Sequence, residues 1–313
     1  MKIPFALSSA AWLALGILSA NAAESGVMVT EADGRVRVTW PISSEENGSA
    51  VFSMDEAKPL IESFGIAVKG QQAEAIVSNL NPVTLLTVGS RDMENPAGWV
   101  AFFDNPPKRP HETFLVKLGK RSLHVTEEGA RTTVSLAQVS GGNFSGEMQF
   151  TFYRNSAFLE AKTVMSTEEN GRAIVYDAGL AGASPDWKST VWNDTAEQFQ
   201  RTPLDPDFTA TPIAVAGRTI VAEGAAGSLA VFPAPHRFFY PQDEAFNLKF
   251  VWHGKNYGGL VGNYGIGIRQ SLTGDNRYVP WFNAPPKTKQ PASRQPSRPP
   301  KQHSPNPKKA TTS

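Results

Sequence analysis

The sequence holds 313 residues, of which 19% are charged and 40% hydrophobic, with a formal net charge of +1. It has no cysteine, so disulfides, thiolate metal sites and cysteine nucleophiles are excluded and packing must stabilise the fold. Charge is uneven: five Lys and two Arg with no acid follow Pro286, a +7 tail behind a body of net −7 once Lys2 is also set aside, so nucleic acid is not an expected partner of that body.

The chain opens with Lys2, an apolar run through Leu18 and the small-residue site Ala20-Asn21-Ala22. This pattern predicts a signal peptide over 1–22, cleaved after Ala22, and hence export to the periplasm or medium. The apolar run is shorter than the roughly 18 to 20 residues of a spanning helix, and no membrane attachment is expected after cleavage.

Next comes a predicted β-hairpin, Val27–Thr30 and Arg35–Trp40, turning at Asp33-Gly34, a pair that accepts positive φ. The single helical signal is Ser53-Met54-Asp55-Glu56, a capping-box pattern that Pro59 confines to a turn or two. Further strands are predicted over 83–88, 99–103, 113–118, 122–126, 132–139, 146–153, 157–166, 173–180, 190–193, 218–223, 228–232, 247–252 and 259–269, each bounded by turn-forming residues. Alternation is clearest where Met148, Phe150 and Phe152 share a face. The strand 157–166 follows across Arg154-Asn155-Ser156, which predicts an antiparallel pair. Many short strands without βαβ alternation predict an all-β fold: a large antiparallel β-sandwich of supersandwich type over 23–286, with little helix.

Composition changes abruptly after Pro286. Residues 287–313 contain no aromatic side chain and no Val, Ile, Leu or Met, but six prolines, so they are expected to form a disordered, basic, Pro-rich tail. Three readings of it stand open: a basic arm for an acidic polymer, a solvated terminus, or the out-of-frame product of a frameshift that removed a longer continuation.

No Gly-x-Ser-x-Gly, phosphate-cradling loop, His-x-His or His-Glu-x-x-His occurs, and no cofactor or metal is expected. Gly262-Asn-Tyr-Gly265-Ile-Gly267 lies in a strand-like run and does not open a helix, which removes it as a dinucleotide fingerprint. Histidines stand at 111, 124, 236, 253 and 303, each readable as a packed or surface residue. His253 is the most suggestive, because it ends a strand before the Gly-rich loop through Tyr257. His236-Arg237 in a Pro-rich aromatic loop is second. The loop acids Asp186, Asp194, Glu197, Asp205, Asp207, Asp243, Glu244 and Asp275 read as solvated, with Asp205-Pro-Asp207 the weak candidate for a hard cation such as calcium. Trp187, Trp192, Trp252, Tyr257, Trp281 and Phe282 lie near loops or strand ends, where a flat ring can stack on a sugar. Core filling is the plainer reading of any one of them.

Several segments together carry a resemblance: Phe158 to Met165, Ala173 to Leu180, Val191-Trp-Asn-Asp-Thr195, Pro235 to Pro241, Val251-Trp-His253 and Val279 to Pro286. Over residues 27–286 the chain resembles the N-terminal β-domain of uncharacterised secreted bacterial proteins, a domain of galactose-mutarotase-like architecture. In those proteins it precedes a metal-dependent hydrolase of the polymerase-and-histidinol-phosphatase (PHP) class. The resemblance implies a sandwich whose catalytic partner domain is absent here, because no metal-ligand motif of that class matches.

The leading expectation is therefore an exported, non-catalytic sandwich that binds carbohydrate or docks on a missing catalytic domain, with Trp252, His253, Tyr257, His236, Arg237, Trp192 and Trp281 as candidate ligand contacts. It predicts that Trp252, His253, Tyr257 and His236 cluster on one concave face; finding them scattered, with the rings buried, would reduce the reading to a structural module. The first alternative is a carbohydrate-active enzyme of mutarotase, lyase or hydrolase type, which needs a His facing a carboxylate. The second is an inert, truncated gene product.

Overall fold

The computed structural model describes residues 26–90, 111–234 and 248–270. The leader over 1–22, the expected strand at 99–103, His236, Arg237, Asp243, Glu244, Asp275, Trp281, Phe282, His303 and the tail 287–313 lie outside the described residues.

The hairpin forms as its turn chemistry dictates. β1 (Met28–Ala32) and β2 (Arg35–Pro41) pair with Ala32 opposite Arg35, and Asp33 and Gly34 take φ of 51° and 69°, the left-handed pair of a two-residue hairpin turn. β3 (Glu46–Ser53), β4 (Ile61–Val68) and β5 (Glu74–Ser90) continue the antiparallel meander. The capping-box residues make a turn between β3 and β4. Asp55 Oδ1 accepts the Ala57 N–H at 3.0 Å and the Ser53 hydroxyl accepts that of Asp55 at 3.2 Å, and Pro59 follows before a helix can propagate.

β6 (His111–Leu115) pairs with β5. A separate four-stranded meander then runs through β7 (Lys117–Glu128), β8 (Arg131–Gly141), β9 (Phe144–Tyr153) and β10 (Leu159–Ser166), in which Leu159 faces Phe152 as the predicted antiparallel pair requires. β11 (Arg172–Gly182) returns beside β5. A third sheet and the far end of the first are built from β12 (Ser189–Asn193), β13 (Phe199–Pro203), β14 (Thr211–Ile213), β15 (Ile220–Glu223), β16 (Ser228–Val231), β17 (Val251–Gly254) and β18 (Tyr264–Ile268).

The large sheet has the order β1-β2-β3-β4-β5-β11-β18-β17-β14, with β6 off this path. The two small sheets run β10-β9-β8-β7 and β13-β12-β15-β16. All strand ladders are antiparallel and the described residues contain no helix, so the chain is an all-β sandwich. Accordingly, no helix among them is long and apolar enough to cross a membrane.

The sandwich interior follows from alternation. Phe150 and Phe152, one face of β9, meet Phe52 and Trp40 of the large sheet at centroid distances of 4.6 and 4.8 Å, and Phe52, Phe150 and Phe152 are completely buried. Burying each ring is worth about 1.5–3 kcal/mol, more than any single polar contact of these sheets. Trp40 lies flat over its cross-strand partner Gly48, where a Cβ would come within 2.3 Å of the indole, and its N–H donates to the Ser156 carbonyl at 2.8 Å.

Candidate functional site: two faces of the β17–β18 ribbon

Register decides which candidate residues meet. His253 opposes Ile266 of β18, and Ile266 in turn opposes Leu180 of β11. All three point into the sandwich, toward the sheet that carries β12. Trp252, one position earlier, opposes Gly267 and points to the other side of the same sheet. The expectation of one concave face shared by Trp252, His253 and Tyr257 is therefore corrected, since neighbours on a strand project to opposite faces. The three are also 1%, 3% and 4% exposed, so none offers a free ring to a ligand.

On the outward side the indole of Trp252 rests on a glycine floor. A Cβ at Gly267 would meet Trp252 Nε1 at 2.5 Å, and one at Gly179 or Gly265 would meet the ring at 2.9 Å. This is what the discarded Gly-x-Gly run does. Tyr257 folds back and stacks on Trp252 at 4.1 Å, with the planes 4° apart. Its hydroxyl donates to Asp177 Oδ2 at 2.7 Å, and Asp177 Oδ1 accepts the Gln270 backbone N–H at 2.6 Å. Arg269, fully buried, donates to the Lys249 carbonyl at 2.8 Å. Burial, reinforced by the Asp177 carboxylate, raises the Tyr257 pKa well above the ordinary phenol value. The Gly-rich loop after His253 is thus a packing device, tied down by a buried carboxylate.

The inward side brings together two of the predicted residues, Trp192 and His253, and two that no local pattern singles out, Phe208 and Tyr264. Phe208 stacks parallel on the His253 imidazole at 4.9 Å, with planes 12° apart. Trp192 of β12 lies 5.5 Å from it, tilted by 31°. Phe208 and Trp192 thus both pack against the imidazole.

Close approach of backbone sets Phe208 there. Lys255 N–H donates to the Phe208 carbonyl and Ala210 N–H to the Lys255 carbonyl, both at 2.8 Å. Gly254 permits this, with φ of 118° and no Cβ to strike Ala210 Cα at 2.7 Å. At the inner end Tyr264 bonds His253 Nδ1 through its hydroxyl at 3.0 Å, and Trp187 closes against Tyr264 at 6.2 Å.

Burial dominates the electrostatics around the imidazole. Burial pushes the His253 pKa down to about 4, with no carboxylate contributing, and burial also raises that of Tyr264. Among the described residues His253 Nε2 has no hydrogen-bond partner. Phe208 is 36% exposed and Trp192 half-buried. At the rim Asp205 Oδ1 accepts the Asp207 N–H at 3.0 Å, and Asp207 pairs with Lys255 at 3.8 Å. Asp205-Pro-Asp207 is accordingly a turn and an ion pair. Among the described residues no cluster of His, Asp and Glu is placed to hold a metal.

No protein-family model matches the chain, and no curated protein matches its sequence.

Proposed function

We propose that this chain is an exported, non-catalytic β-sandwich module that binds carbohydrate through the Trp192–Phe208 side of its interior slot and positions it for a catalytic domain carried elsewhere. The Trp252–Tyr257 face expected to carry it is buried, so the reading rests on the other side of the ribbon, where two partly exposed rings, Trp192 and Phe208, pack on a neutral imidazole. Flat aromatic faces suit the apolar face of a sugar ring, and a buried uncharged donor or acceptor suits its hydroxyls. General acid/base chemistry is less well supported. It needs an imidazole tuned by a facing carboxylate, and His253 is tuned by burial alone.

The test is a glycan microarray probed with the full chain and with Trp192→Ala. Binding of a defined saccharide class by the wild type, with at least a tenfold loss in the variant, is the expected result. No binding to any glycan would return the module to a purely scaffolding role.

A further inference from the structure

We infer that His253 Nε2 is the polar contact that selects the ligand of this slot, and that the ligand is an uncharged sugar ring presenting a hydroxyl edge-on to the imidazole. The inference rests on the carbohydrate reading above and adds to it an atom and a charge state.

Three observations carry it. First, the two ring nitrogens are not equivalent. Nδ1 is committed to the Tyr264 hydroxyl at 3.0 Å, which fixes the ring's rotation, whereas Nε2 has no partner among the described residues although the side chain is only 3% exposed. Nearly buried polar atoms are ordinarily satisfied, so an unshared valence on such a ring is open to a partner beyond the described residues. In a neutral imidazole one nitrogen donates and the other accepts, so either tautomer leaves Nε2 able to bond a hydroxyl, which can do both.

Second, the walls are fixed. Phe208 and Trp192 pack on the imidazole at 4.9 and 5.5 Å, and the half-buried Trp192 indole N–H likewise has no hydrogen-bond partner among the described residues. A ring entering beside them gains stacking surface and meets two unshared polar groups.

Third, the charges described at the rim do not favour an anion. Lys255 pairs with Asp207, and the Tyr264 phenol, raised first by burial, is held up further by Asp205. A uronate carboxylate would meet acidic neighbours and a ring that resists charging.

The experiment uses the full chain labelled with 15N and titrated with cellohexaose, xylohexaose, mannohexaose and hexagalacturonate. Imidazole nitrogens are followed by long-range 1H–15N correlation, and affinities by calorimetry for the wild type, His253→Gln and Trp192→Ala. The expected result is saturable binding of at least one neutral hexasaccharide, a ligand-induced shift at His253 Nε2 larger than at Nδ1, and affinity for hexagalacturonate at least tenfold weaker. His253→Gln should weaken neutral-sugar binding about tenfold, the loss of one well-placed hydrogen bond.

If Trp192→Ala abolishes binding while the imidazole signals of the wild type stay fixed, the assignment of Nε2 is overturned and the carbohydrate reading survives. Preference for hexagalacturonate overturns the neutral-ligand part. No binding of any of the four overturns both. The imidazole readout needs no variant, so a folding defect in His253→Gln leaves the result decisive.

Discussion

Lowering the pH from 7 to 4 acts on the inner face through a single group, because His253 is the one described histidine whose pKa burial displaces strongly, from the ordinary 6.5 to about 4. A base depressed on folding binds its proton more readily in the unfolded chain, so acid favours unfolding. The stabilisation from keeping the imidazole neutral is complete above pH 6.5 and is lost as the pH falls from there toward 4. At about 1.4 kcal/mol per unit, the full shift amounts to about 3.5 kcal/mol, of which about 3 is lost by pH 4, a substantial share of the total stability expected for a domain. Urea unfolding followed by tryptophan fluorescence at pH 7, 5.5 and 4 measures it. His253→Gln serves as the reference, since the carboxylates titrate alike in both proteins and cancel in the comparison. The wild type should lose up to about 3 kcal/mol more than the variant between pH 7 and 4. Parallel pH dependences, or an imidazole that titrates near 6.5 by NMR in the folded chain, would refute the reasoning.

Three substitutions test the packing that holds the site. Gly267→Ala places a Cβ 2.2 Å from the Ala178 carbonyl oxygen and 2.5 Å from Trp252 Nε1; it should cost about 1–3 kcal/mol or more and lower Tm by several degrees. Gly34, where nothing lies within 4 Å, is the control in thermal denaturation and should show only the milder strain of its φ of 69°. Phe150→Ala removes a completely buried ring between the two sheets and should cost about 3–5 kcal/mol in urea unfolding; a loss below about 1 kcal/mol would mean the sheets do not depend on that contact. Asp177→Asn takes the charge from an oxygen pair serving Tyr257 and Gln270. A loss of about 1–3 kcal/mol is expected in the same assay, and an unchanged unfolding curve would count against the carboxylate as the tie that fixes the loop.

Local chemistry made part of the fold readable. Asp33-Gly34 can take the mirror-image turn at little cost, and Met148, Phe150 and Phe152 alternate cleanly, so the first hairpin and the β9–β10 pair lie where expected. β3 and β4 were hidden. From Gly48 to Ser53 β3 is buried on both sides, leaving no alternation to see, and its small polar start Glu46-Asn-Gly-Ser reads as a loop. β5 runs well ahead of the predicted 83–88 because Asn79, Asn81 and Pro82 look like breakers. Tertiary pairing absorbs them: Asn79 takes φ of 55°, Asn81 Oδ1 accepts the Leu60 N–H at 2.7 Å, and Pro82 falls where pairing with β4 has ended at Leu80.

The site was legible only in its members. Trp192 and His253 could be named, but their meeting depends on two sheets closing over each other, which sequence spacing does not encode. That Trp252 and His253 face apart was available from strand alternation alone. Phe208 and Tyr264 had no local signal; only the approach of residues 208–210 to Gly254, and the register of β18, bring them to the imidazole.

The most direct measurement follows the indole N–H signals of the seven tryptophans in a 1H–15N spectrum of the full chain as a neutral oligosaccharide is added. A concentration-dependent shift at Trp192, with Trp187 and Trp252 unmoved in their sealed positions, is the predicted outcome. Movement at Trp252 in place of Trp192, or no response from any indole up to millimolar sugar, would contradict a binding slot between Trp192, His253 and Phe208.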